Sequence, residues 1–166
     1  MALFAITYPC FFIGYLLRVI DSNGKPIVVA IIRDQKFKGG DVALRALNLV
    51  NKKQSIHAVL VGGRGTIDKL FKEVRPEFRY TIFSNVDDET LAKLYSSSDV
   101  FIFTSYRESF GLPPLEAMAS GTAVATTDCG GVRDYAVDGY NSLATRPGDP
   151  SAIANAVIKI TEQSKA

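Results

Sequence analysis

The sequence contains no tryptophan, a single histidine and only two cysteines. One histidine cannot build a zinc cluster, and any Ser-His-Asp triad would have to use it. That residue, His57, stands at the head of the apolar stretch Ile56-His57-Ala58-Val59, where a structural or edge role is expected. Cys10 and Cys129 lack metal-ligand spacing, so two free thiols in a reducing cytoplasm are the expectation. No Lys/Arg-rich run occurs, and 19 cationic against 17 anionic side chains leave a net charge of +2. That charge is too small to mark a nucleic-acid binder. Neither G-x-G-x-x-G nor G-x-x-x-x-G-K-[ST] is present, which disfavours a dinucleotide dehydrogenase and a P-loop ATPase. An Asp-x-Asp metal motif is missing too, and no metal or cofactor is expected. The longest apolar run, Ala2 to Leu17, falls short of the ~20 residues of a membrane-spanning helix. No basic residue precedes Arg18 and no A-x-A follows, as a secretory signal would require. Residues 1–25 therefore read as an apolar lead-in, either packed or poorly folded, or a peripheral membrane anchor, with a span as the remaining reading. The expected location is the cytoplasm, with membrane association through that segment alone.

What is present suits one folded domain. Of 166 residues, 47% are hydrophobic and 22% charged, ordinary values that leave disorder and disulfide scaffolds aside. From residue 26 to 166 the pattern is regular. Ile27 to Ile32 is a continuous apolar run, β-branched in five of six places, as in a strand buried on both faces. Ala58 to Val61, Tyr80 to Phe83, Val100 to Phe103 and Thr122 to Thr126 read as further strands. Between them, helical stripes run over Asp41 to Asn51 and Ile67 to Val74, then from Asp87 through Tyr95 and from Pro113 to Gly121. A last helix follows the Asp149-Pro150 cap pair. Alternating strands and helices predict βαβ units on a parallel sheet, an α/β Rossmann-like domain whose ligands sit at the carboxyl ends of the strands.

The loops after the strands carry the chemistry. Arg33 to Gly40 places cations beside glycines at a helix N-terminus, a natural anion site or, more blandly, a solvated basic loop. Gly62-Gly63-Arg64-Gly65 lets a ligand approach backbone closely. After the fourth strand, Thr104 to Glu116 sets Glu108 in a loop and Glu116 in the first turns of a helix. Between them lie the amides of Phe110, Gly111 and Leu112, open to a phosphate, while Glu116 suits a ribose diol. Taken singly, Glu108 reads as a surface charge and Glu116 as a helix-dipole acid.

The string Glu108-Ser-Phe-Gly-Leu-Pro-Pro-Leu-Glu116-Ala-Met-Ala-Ser-Gly121 resembles the Glu-x7-Glu signature of retaining glycosyltransferases of family 4. Arg33 and Lys38-Gly39, Leu60-Val61-Gly62, Leu91 to Tyr95, Ser98 to Phe101, Gly130-Gly131 and Asp138-Gly139 match that family in order and spacing. The resemblance covers about Ile27 to Ile160. Ile32, Ser84 and Thr104 depart from it, standing where glycine, glycine and proline are common.

The resemblance implies the C-terminal, donor-binding half of a GT-B glycosyltransferase. In that half, Arg33, Lys38 and the Phe110 to Leu112 amides hold a diphosphate. Glu108 contacts the sugar, Glu116 the ribose, Gly62 lies at the donor, and the Asn85-Val86 loop lies near the base. The implied activity is retaining, metal-independent hexosyl transfer from a UDP-, GDP- or ADP-sugar to a glycan, lipid or other acceptor. Because the resemblance includes no acceptor-binding domain, this chain alone is expected to bind donor but transfer little sugar. A partner subunit carrying the acceptor domain, a non-catalytic nucleotide-sugar module and a flavodoxin-like phosphate binder are the alternatives.

Overall fold

A computed structural model describes residues 24–163; the apolar lead-in, apart from Gly24 and Lys25, and Cys10 lie outside the described residues. Six parallel strands form one sheet: β1 (Ile27–Ile31), β2 (His57–Val61), β3 (Arg79–Phe83), β4 (Val100–Phe103), β5 (Ala123–Thr127) and β6 (Leu143–Thr145). Their spatial order is β3-β2-β1-β4-β5-β6. The order reverses between β1 and β4, which pair in register from Val28 opposite Val100 to Ala30 opposite Ile102. A crevice therefore opens beyond the carboxyl ends of these two strands, where the loops they feed diverge to opposite faces.

Strand alternation divides the core. Val28, Ala30, Leu60, Val100 and Ile102 point to one face, under the helices α1 (Gly40–Lys53), α2 (Arg64–Glu73) and α5 (Pro150–Gln163). Ile27, Val29, Val59, Phe101 and Val124 point to the other, under α3 (Asp88–Ser96) and α4 (Leu112–Ala119). Val28 and Val29 are both fully buried, which is why β1 reads as an unbroken apolar run. Each such side chain contributes about 1.5–3 kcal/mol as an upper estimate.

Helix starts follow local chemistry. Asp87 caps α3 by accepting from the Thr90 amide at 2.7 Å. That hydrogen bond holds the Asp87 carboxyl below its usual range, so the cap weakens as pH falls through the lowered value. Asp149 accepts from the Ala152 amide at 2.9 Å at the head of α5. α2 starts at Arg64 rather than at Ile67, so Gly65 lies in its first turn and only Gly62 and Gly63 form the bend after β2. α4 opens one residue before the Pro pair, at Leu112, and β5 runs one residue beyond the expected Thr126. β6 was not anticipated; three half-buried residues give no periodicity to read. His57 is buried, its Nε2 2.8 Å from Thr81 Oγ1 across the β2–β3 pair, a structural role. Cys129 is a buried free thiol, pushed up in pKa chiefly by that burial. No helix among the described residues is long and apolar enough to cross a membrane.

Candidate functional site

The crevice is built by two loops, one from β1 and one from β4. After β1 the chain makes a 3₁₀ turn over Lys36–Lys38 and enters α1 through Gly39, whose φ is 66°. Only glycine fits there. A Cβ would sit 2.1 Å from the Thr104 carbonyl oxygen, and the left-handed backbone is costly for other residues. This close approach lets the two loops lace together. Thr104 Oγ1 donates to the Gly39 carbonyl at 2.8 Å, and the Tyr106 amide donates to the Phe37 carbonyl at 2.7 Å.

The lacing brings Lys38 and Glu108 into an ion pair, Nζ to Oε1, at 2.7 Å. Ser105 Oγ donates to the same oxygen at 2.8 Å, while Oε2 takes no partner among the described residues. Ser105 is itself fixed, because buried Thr127 on β5 donates to its carbonyl at 2.6 Å. The Glu108 side chain is only 11% exposed and Lys38 28%, so this pair is less screened than a surface one. Both line a cavity of about 230 Å³ with Arg33, Gln35, Thr104, Ser105 and Pro113. Arg33 is exposed and makes no ion pair among the described residues, leaving its guanidinium charge available.

Phe110, Gly111 and Leu112 lead into α4, and their amides donate to nothing among the described residues. They are unsatisfied donors at a helix N-terminus, beside the positive end of its dipole. The Gly111 carbonyl, in contrast, accepts from the Tyr135 hydroxyl. Glu116 is exposed, one turn into α4, and accepts from the Tyr95 hydroxyl at 3.4 Å. Burial, with the Glu116 charge beside it, pushes the Tyr95 phenol far above its usual pKa, so it remains a neutral donor.

The sequence-derived residues thus fall into two groups. Arg33, Lys38 and Glu108 converge on one cavity, with the α4 amides close by in sequence. Gly62, Asn85, Val86 and Glu116 lie outside that cavity. Gly62 is buried at the end of β2, donating to the Phe83 carbonyl at 2.9 Å and accepting from Ser84 Oγ at 2.9 Å. Asn85 holds a positive φ of 54°, the sole non-glycine residue to do so among those described, and Val86 packs partly against the core. Sequence reasoning missed the supporting roles of Tyr95, Thr127 and Tyr135. Ser105 and Thr104 lay inside the string that it singled out, but their partners are distant in sequence. No group of three His, Cys, Asp or Glu among the described residues is placed to hold a metal ion.

Several known glycosyltransferases are similar to this chain. The D-inositol 3-phosphate glycosyltransferase of Nocardia farcinica is 31% identical over 147 residues, 82% of this chain and 33% of that protein. The capsular polysaccharide biosynthesis glycosyltransferase CapM of Staphylococcus aureus is 28% identical over 90% of this chain and 36% of its own length. Among solved structures, sucrose-phosphate synthase from Thermosynechococcus elongatus superposes with a TM-score of 0.78 at 30% identity, covering 92% of this chain and 40% of that one. Anabaena HepE in complex with UDP-glucose shares the fold, with a TM-score of 0.77 at 22% identity over 94% of this chain and 43% of its own. The chain spans about a third of the length of the curated relatives it matches. The family model for glycosyl transferases group 1 matches residues 18–166, nearly the whole chain, and the protein belongs to that family.

Proposed function

We propose that this domain binds a nucleoside diphosphate sugar at the β1–β4 crevice and forms the donor half of a retaining, metal-independent glycosyltransferase. The observation that carries the reading is the meeting of Lys38 and Glu108 at 2.7 Å, at the point where strand order reverses. Arg33, Lys38 and the Phe110, Gly111 and Leu112 amides supply the cationic and dipolar groups that a diphosphate requires. Oε2 of Glu108 is an open acceptor for a sugar hydroxyl. Glu116, oriented by Tyr95, is an acceptor for a ribose diol, and the Asn85-Val86 loop lies toward the base, with Gly62 beneath it. The relatives are named glycosyltransferases, and the UDP-glucose bound by HepE supports this class of donor.

In transfer, the bond between the anomeric carbon and the diphosphate oxygen breaks as the acceptor hydroxyl oxygen bonds to that carbon, and the hydroxyl proton passes to the departing diphosphate oxygen. Charge then grows on the departing oxygen, beside Arg33 and Lys38. Preorganised donors of this kind are worth ~3–4 kcal/mol each in acyl-transfer enzymes. Lys38 enters this role already held by Glu108, so the ammonium is positioned before the ligand arrives.

A thermal-shift panel of UDP-, GDP- and ADP-sugars tests the reading. The cognate donor at 100 times its Kd should stabilise the protein by ~2.7 kcal/mol. Glu116→Ala should then weaken nucleotide binding by roughly 1.5–3 kcal/mol. No shift with any of the three nucleotides would remove the donor assignment, and unchanged affinity in the variant would remove the ribose role of Glu116.

A further inference from the structure

Tyr135 follows the 3₁₀ turn Gly130–Asp134 and is half-buried against the start of α4. Its ring packs against Phe110, with centroids 5.5 Å apart, and its hydroxyl donates to the Gly111 carbonyl. Gly111 is the N-cap of α4, in the left-handed region at φ 79°. Its carbonyl and the Leu112 amide belong to one planar trans peptide, so they point in opposite directions. Holding the oxygen therefore sets the direction of the N–H. From this geometry we infer that Tyr135 is a positioning residue: it clamps the Gly111–Leu112 peptide so that the Leu112 amide is aimed at a bound diphosphate.

Three further observations fit a clamp. Val132, from the same 3₁₀ turn, closes over Gly111 so tightly that a Cβ there would lie 2.7 Å from its Cγ2. The Gly131 amide lies 3.4 Å from the Glu108 carbonyl, tying the turn to the other end of the signature loop. Burial, with nearby Cys129 and the Glu108 and Glu116 charges, pushes the Tyr135 phenol up to about 12, so it stays a donor throughout the neutral range. A glycine cap has more backbone freedom than any other residue, and an amide that wanders binds an anion less well than a fixed one.

The inference rests on the donor reading, and the experiment separates the two. Isothermal titration of the whole chain with UDP and with uridine compares wild type, Tyr135→Phe and Tyr135→Leu. Tyr140→Phe serves as a control, because Tyr140 is 87% exposed. Both Tyr135 variants should lose about tenfold in UDP affinity, the worth of one ordinary hydrogen bond, with uridine affinity unchanged. The Leu112 amide cross-peak in a ¹H–¹⁵N spectrum should also move in ligand-free Tyr135→Phe. Retained UDP affinity in both variants overturns the clamp, and so does an equal loss for UDP and uridine, the sign of a merely structural role. If wild type binds no UDP, GDP and ADP with their nucleosides take its place, and if it binds none of the three the donor reading falls. The Leu112 cross-peak then decides the clamp alone, and an unmoved peak overturns it.

Discussion

The loop after β1 and the loop after β3 leave the same edge of one sheet, yet they are held in opposite ways. The first is bonded to the β4 loop through backbone, hydroxyl and ion-pair contacts, three of them at 2.7–2.8 Å. The second is tied to its neighbour on β2 by Ser84, and its next residue, Asn85, adopts a backbone conformation usually left to glycine. The contrast teaches where rigidity is needed. Under the proposed function the laced loops meet the diphosphate, which is the same in every nucleotide donor, so that site gains from being fixed. Bases differ, and the loop proposed to face the base has fewer contacts with its neighbours.

Gly39→Ala should have the largest effect. It combines a left-handed backbone with a clash against the Thr104 carbonyl and should cost about 3 kcal/mol or more. In a domain of this size that corresponds to a Tm lower by roughly 6–12 °C in calorimetry. A melting curve like that of wild type would mean that the two loops are not locked together.

Lys38→Ala should act next, on binding rather than on the fold. UDP affinity should fall about 10- to 100-fold by calorimetric titration, the worth of a hydrogen bond to a charged group, with little change for uridine. EDTA should leave UDP binding unchanged. Equal losses for the two ligands would show that the laced loops position the whole nucleotide rather than its phosphates.

Asn85→Gly should do least. Removing the side chain relieves the positive φ but frees the unfolded chain, so stability should change by less than about 0.5 kcal/mol. A loss as large as that of Gly39→Ala would erase the distinction between the two loops.

The sequence was most legible where a pattern is local. The buried strand β1 announces itself because both its faces are covered, and the caps Asp87 and Asp149 stand where an acid before an apolar stripe belongs. Arg64-Gly65 misled because glycine argues against helix, whereas the first turn of α2 tolerates it with Gly63 as cap. In the site, the residue types and their order pointed to the loops, and a family resemblance supplied roles. The partners could not be read. Tyr95 meets Glu116 across 21 residues, Tyr135 meets Gly111 across 24 and Lys38 meets Glu108 across 70. Such contacts depend on strand order, and no local periodicity encodes it.

That last separation has a kinetic side. Closing a flexible loop of 70 residues costs ~4 kcal/mol plus a constant, before any contact repays it. On a ribosome adding ~5–20 residues per second, Glu108 emerges roughly 4–14 s after Lys38. Until β4 arrives, one edge of β1 has no partner strand, and its unpaired N–H and C=O groups are open to other chains. The reversal of strand order that creates the crevice therefore also leaves its first strand with one open edge for that interval of synthesis.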